Sequence, residues 1–481
     1  MKIILLNPPF LDRYSKSSRS PAVTKSGTIY FPLWLSYAAG VLDKDGYELK
    51  LIDAPAKCLS KEETLKQIVD FAPALIVIDT STPSINSDLA FTEMVKKRVP
   101  TIKTCLVGTH VTACVSEILP EKSSFVDYIA RHEYDYTIPK LAEAISGKME
   151  IKDVLGISYC VDGQLIENPN RPFIENLDDL PFVSEVYKKY LDIKDYFYAH
   201  VSYPTVSIFA SRGCPSRCFF CMYSQVMFGK QYRRRSAKNL FDECLYITEN
   251  FPEVKEILID DDNFTVDQEN VQAFCRLMIE NKIKLKWVIQ SRVNLSYESM
   301  VLMKKAGCRL VVVGYESGSQ KVLDGMHKGI TLEMSRKFNA AAKKAHMRVH
   351  GCFMVGNPGE TKETMQETLE FSKSLRMDTV QYFPLIVYPG TEAWTWAKSN
   401  GYLIAKSYDE WLTPDGMHNC VLSTPEVSNQ ELVDFCNYAR KKFYLRPKYI
   451  LMKLGECLTN KEDFVRTFKA FETFRKYLLK G

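Results

Sequence analysis

Long apolar runs are missing from this chain. The longest nearly uninterrupted one, residues 31–42, falls short of the ~18–20 residues that a membrane span requires. The apolar start, residues 1–6, is too short for a secretory signal and reads as a first strand. A surplus of one charge is also lacking: 63 Lys and Arg against 58 Asp and Glu leave +5, too little bias to argue for a nucleic-acid partner. Low-complexity tracts and repeats of solenoid period are absent, which excludes a disordered scaffold or a helical array. What remains is ordinary for a soluble globular protein, 46% hydrophobic and 25% charged, and a length of 481 residues asks for two or three domains. The expectation is a cytoplasmic multidomain protein.

The 14 cysteines do not form a disulfide framework in such a chain, and most read as buried thiols. Eleven are scattered. The other three stand together as Cys214-Pro-Ser-Arg-Cys218-Phe-Phe-Cys221.

Up to about residue 148, short apolar runs alternate with amphipathic stretches: strands over 2–6, 48–52, 75–79, 103–107 and 125–130, with helices over 33–44, 61–71, 86–98, 112–119 and 138–145. Strands apolar on both faces imply a parallel sheet covered by helices, an open doubly wound fold, with ligands beyond the carboxyl ends of the strands. No G-x-G-x-x-G follows Leu6, which disfavours a dinucleotide. Residues 149–203 read as a connector with a hairpin near 154–161. From 204 to 393 six strand–helix units give a partial (β/α)6 barrel, with active residues expected at strand carboxyl ends. Residues 394–481 read as helical.

The triad's C-x3-C-x2-C spacing follows the first barrel strand directly. Thiolates suit soft iron sites, and a four-iron cluster ordinarily takes four protein ligands, so three cysteines leave one iron open. A zinc site would ordinarily show paired C-x2-C or Cys/His sets; none occurs here.

The loop 211–221 resembles the cluster loop of radical S-adenosylmethionine (SAM) enzymes. The resemblance implies that Cys214, Cys218 and Cys221 hold a [4Fe–4S] cluster whose open iron is chelated by SAM, with Phe220 beside it. The same resemblance gives roles to later strand ends: Asp260, Asp261 and Asp262 for the SAM ammonium, Ser291 and Arg292 for its ribose and carboxylate, Glu316 and Ser317 in a turn near SAM, and Gly356 in an adenine-contacting turn. The plainer readings are a solvated acidic turn for 260–262 and an ordinary turn at 356–359.

A doubly wound domain ahead of that barrel is similar to the cobalamin-binding subclass. Asn7, Pro8 and Pro9, then Thr80, Ser81 and Thr82, then Gly108, Thr109 and His110, fall where the subclass contacts cobalamin. The D-x-H-x-x-G loop that brings an axial histidine elsewhere is absent, so the lower face of the corrin should lack that ligand. Residues 221–236 are similar to a branch acting on polyols, sugars or lipid-linked headgroups. That similarity implies hydrogen abstraction from a carbohydrate, with Tyr232, Arg233 and Arg235 toward the substrate and a flavodoxin- or ferredoxin-type reductant. The alternatives are a methylcobalamin-dependent C-methyltransferase and an electron-carrying module. Finally, residues 464–480 place aromatics at helical spacing between Arg466, Lys469, Arg475 and Lys476. They read as a helix docked on its own protein or as a peripheral membrane contact.

Overall fold

The computed structural model describes residues 1–459; the aromatic stripe at 464–480 lies outside them. The first sheet contains β1 (Lys2–Asn7), β2 (Glu48–Asp53), β3 (Leu75–Asp79), β4 (Lys103–Val107), β5 (Tyr128–Ala130), β6 (Ile157–Val161) and β7 (Gln164–Glu167), in the order β2-β1-β3-β4-β5-β6-β7. The pairings from β2 through β5 are parallel. Its helices are α1 (Leu33–Lys44), α2 (Lys61–Phe71), α3 (Ile85–Arg98), α4 (Thr109–Ala113), α5 (Val115–Lys122) and α6 (Thr137–Ile145). Alternate strand residues feed two cores. Ile3, Leu5, Leu75 and Val77 face one, and Ile4, Leu6, Ile76 and Ile78 the other, which is why the strands read as continuous apolar runs.

The hairpin expected in the connector is instead part of this sheet. β6 pairs antiparallel with β5, and β7 with β6. Two hydrogen-bonding edges lie side by side here, and pairing satisfies backbone groups that an isolated hairpin would leave to water. The helix expected over 112–119 is split at Cys114 into α4 and α5.

After α7 (Val183–Tyr190), the second sheet is built from β8 (Thr205–Ile208), β11 (Glu256–Ile259), β12 (Lys286–Ser291), β13 (Cys308–Glu316), β14 (Arg348–Val355) and β15 (Thr379–Pro384); the two-residue strands β9 (Ser211–Arg212) and β10 (Arg233–Arg234) pair with each other. The order β15-β14-β13-β12-β11-β8 is parallel throughout, the open sheet of a six-stranded partial barrel. Its helices are α8 (Ala237–Asn250), α9 (Gln268–Glu280), α10 (Tyr297–Lys305), α11 (Gln320–Gly325), α12 (Leu332–Lys344) and α13 (Lys362–Ser374), followed by α14 (Glu392–Ser399), α15 (Asn429–Tyr444) and α16 (Pro447–Thr459). The region expected to be helical from 394 contains a long non-helical passage: Leu403 bridges Leu422, Leu412 bridges His418, and a 3-10 turn covers Tyr408–Trp411. No helix among the described residues is long and apolar enough to cross a membrane.

The two sheets share one core through the ring of Phe31, stacked at 4.0 Å on Tyr196 and 4.3 Å on Tyr187.

Candidate active site

β8 ends at Ile208 and the chain turns into the cysteine loop through Gly213, at φ +75°, where a Cβ would collide with the Gln231 carbonyl. Only glycine fits both constraints. Beyond it Cys214 and Cys218 are buried and Cys221 is half-buried. Gln225, on a π-helical turn Tyr223–Met227, donates to the carbonyls of Cys218 and Phe219, 3.0 Å each, and accepts from the Glu392 amide at 2.9 Å. The Phe219 amide donates to Met326 and the Ala393 amide to Phe219, so α11 and α14 clamp the loop from outside.

Arg292, at the end of β12, places Nη1 3.2 Å from the Cys218 sulfur and also donates to the Lys328 carbonyl. Burial, then the charge of Asp262, pushes the Cys221 thiol up to about 11, so ligation must supply the cation that makes it a thiolate. Three thiols gathered on one loop, two buried and one half-buried, with the Arg292 guanidinium beside Cys218, are a donor set that fits an iron–sulfur cluster.

The acidic run after β11 is divided in its roles. Asp261 accepts from the Ala210 amide at 2.7 Å and the Ser211 hydroxyl at 2.6 Å, and burial pushes it up to about 7. It fastens the root of the cysteine loop. Asp260 and Asp262 instead bind Arg19, at 2.6 and 3.3 Å, and Gln290 also donates to Asp260. Glu316 holds a left-handed backbone, φ +65°, strain that clusters at functional sites; its carboxylate binds buried Lys328 at 2.7 Å. Lys328 lies 5.9 Å over the Phe220 ring.

Ser317 is tied into its own turn by Thr368 and the Ser319 amide, and Ser291 by Thr265 and the Arg292 carbonyl. The Gly356 amide caps onto Glu360. A cavity of about 180 Å³ opens between the cysteine loop and these strand ends, lined by Ser216, Asn263, Arg292, Asn294 and Gly329 among others. Sequence reasoning missed Arg19 and Lys328. Arg19 belongs to the other sheet's first loop, and Lys328 follows a six-residue helix, so no local spacing links either to the cysteines.

All nine residues expected at cobalamin lie at or just beyond the carboxyl ends of β1, β3 and β4. Gly108, at φ +117°, lies so close to the Thr80 carbonyl that a Cβ could not be placed. Asn7 donates to Asp53 at 2.8 Å while its own buried oxygen has no partner. The Ser81 hydroxyl meets Tyr14 at 2.9 Å, Thr80 donates to the Val107 carbonyl, and Thr82 meets His110 Nδ1 at 3.1 Å. His110 is buried, driven by that burial down to about 3, and touches the Tyr408 ring edge-on at 4.6 Å. Its imidazole is thus neutral and packed inside. Neutral hydroxyls, amides and one unpartnered carbonyl oxygen suit the amide-rich periphery of a corrin, so this edge fits cobalamin.

The residues expected toward substrate are turned inward in two of three cases. Arg233 binds Glu133 at 2.8 Å with the carbonyls of Ile174 and Phe228, and Arg235 binds Glu243, Asn239 and the Phe209 carbonyl. A buried guanidinium without such partners would be too costly to desolvate. Tyr232 stays half-buried. Arg212, two residues before Cys214, makes a bidentate pair with Asp135 at 2.7 and 2.9 Å, surrounded by the rings of Phe209, Trp34, Tyr37 and Phe228.

Residues 208–372 match the radical SAM superfamily model and residues 19–142 the B12 binding domain model. The chain is thus a radical SAM enzyme with an N-terminal B12-binding domain. The cofactor set of these domains is a [4Fe–4S] cluster, SAM and cobalamin. Among its relatives, an uncharacterised methyltransferase of Pyrococcus horikoshii is 29% identical over 95% of both chains. The anaerobic magnesium-protoporphyrin IX monomethyl ester cyclase of Rubrivivax gelatinosus is 25% identical, covering 92% of this chain and 78% of its own. Among solved structures, the radical SAM methyltransferase TsrM of Kitasatospora setae, with cobalamin and a [4Fe–4S] cluster bound, aligns with a TM-score of 0.67 at 15% identity, over 84% of this chain and 76% of its own. That likeness is one of fold.

Proposed function

We propose that this protein is a cobalamin-dependent radical SAM methyltransferase acting on an unactivated carbon of a small molecule. One observation carries the reading. Tyr14 touches Ser81 at the cobalamin edge, and Arg19 touches Asp260 at the SAM edge. Five residues span at most about 17 Å, so one short loop segment touches both edges. Hydrogen abstraction alone needs one of these cofactors; transfer of a methyl group to a carbon radical uses both, and both must reach one substrate. The names of the relatives, two methyltransferases among the three, support the same choice. They favour it over abstraction from a polyol, whose expected donors Arg233 and Arg235 are occupied inside the protein.

When bound, the cluster with SAM would supply a hydrogen-abstracting radical and cobalamin a methyl group, with electrons from an external reductant. The protein's own residues position and insulate. Cys214, Cys218 and Cys221 would hold the cluster, and Arg292 places positive charge beside Cys218. Asp260 and Asp262 share the single Arg19 and so keep a net negative charge that suits an ammonium. Thr80, Ser81, Thr82 and Gly108 cradle the corrin.

The test needs no knowledge of the substrate. Anaerobically reconstituted protein is incubated with SAM, hydroxocobalamin and a low-potential reductant. Formation of both methylcobalamin and S-adenosylhomocysteine is expected. Release of 5′-deoxyadenosine with neither product would favour a cyclase or rearrangement instead.

A further inference from the structure

Half of the large hydrophobic side chains exposed among the described residues lie within one short stretch near the C-terminus: Tyr438, Leu445, Ile450, Leu451, Leu454 and Leu458. In α16 they define an inverted amphipathic helix. Its polar residues face the protein: the Tyr449 hydroxyl donates to the Asp378 carbonyl at 2.7 Å, and Lys453 binds Glu456 at 2.8 Å and lies 3.8 Å from Asp378. Its leucines face outward, with Leu451 at 68%, Leu454 at 56% and Leu458 at 89% exposure, at spacings of three and four that keep them on one side. A helix that packs on its own protein buries the opposite face.

Charge is concentrated in the same stretch of sequence. Residues 440–459 carry six Lys and Arg against one acid, Glu456, a net of +5 that equals the net charge of the whole chain. The rest of the chain is therefore neutral on balance. Exposed Lys442 and Lys448 flank the leucine stripe.

We propose that α16 and its basic surroundings dock this protein on an anionic bilayer surface. An outward leucine stripe enters the headgroup boundary while the flanking lysines meet acidic lipid, the combination that holds a helix in the interface. A soluble protein partner would be served by the leucines but gives no reason for the basic excess. Asp378, against which α16 is fastened, precedes β15, at the amino ends of the barrel strands. Docking there leaves the carboxyl edge, with the cysteine loop, open.

The experiment is sedimentation of the full chain with vesicles of phosphatidylcholine alone or mixed with phosphatidylglycerol. Binding is expected to the mixed vesicles only, weakening as salt is raised. A triple variant, Leu451→Gln, Leu454→Gln and Leu458→Gln, should lose binding about tenfold or more while melting at the same temperature as the parent. Three results would overturn the proposal: no sedimentation with mixed vesicles at low salt; a clear drop in melting temperature of the triple variant, meaning that the chain itself covers the stripe; or a dimer in ultracentrifugation that the triple variant dissociates, meaning that a second copy covers it.

Discussion

Cys218 is the cysteine whose sulfur meets a cation, Arg292 at 3.2 Å. Replacing it, or Cys214 or Cys221, by Ala should leave the fold intact, because the loop sits at the mouth of the barrel rather than in its core. Iron content of anaerobically purified protein should fall sharply and 5′-deoxyadenosine release should vanish. Cys244, Cys275 and Cys308 are fully buried, and their replacement by Ala should keep the iron and cost only packing, on the order of 1–3 kcal/mol. Asp261 gives a second residue-scale prediction. Burial raises its folded pKa from 3.8 to about 7, so the folded protein holds the proton more tightly than the unfolded chain. Its contribution to stability is full below about pH 4 and is lost as pH rises to about 7. In Asp261→Asn the amide oxygen accepts from Ala210 and the amide nitrogen donates to Ser211, so urea titrations at pH 5 and pH 8 should differ less than in the parent.

At the scale of elements, the cysteine loop depends on the turn that launches it. Gly213→Ala must either swing the Gln231 backbone away or abandon its left-handed turn. Reconstituted iron should drop as far as in a cysteine variant, while far-ultraviolet circular dichroism stays unchanged. Elements of this kind were legible in the sequence where the signal is local. Apolar runs such as Leu75–Asp79 and the triad after β8 are read from neighbours along the chain. Three things were not legible because their causes are distant. β6 is recruited by the edge of β5, Arg19 reaches Asp260 across 241 positions, and the basic look of 233–235 concealed acids waiting at Glu133 and Glu243. Charge in a sequence says nothing of which partner neutralises it.

For the whole molecule, the buried Arg212–Asp135 pair ties the start of the cysteine loop to the turn after β5. Asp135→Asn removes the bidentate carboxylate and leaves the Arg212 guanidinium, inside a ring of aromatics, only Glu133 at 3.6 Å, which is shared with Arg233. This should cost up to about 3–5 kcal/mol, read as a shift of the urea midpoint. Because Arg212 stands two residues from Cys214, iron should fall with it. The edge contact of His110 with Tyr408 carries a different consequence, one of timing during synthesis. The first sheet is complete on the ribosome by residue 167, yet the ring that covers His110 lies 298 residues further on than His110 itself. The Asp409 carboxylate that binds Asn86 and the Gly416 carbonyl that accepts from Val23 arrive equally late. From residue 167 to residue 408, at roughly 5–20 residues per second, the wait is about 12–48 s. For that interval the nascent N-terminal domain is unroofed at its ligand edge. A chain released at residue 400 should bind a hydrophobic dye and be cut by protease near residues 109–115, whereas the finished protein should not.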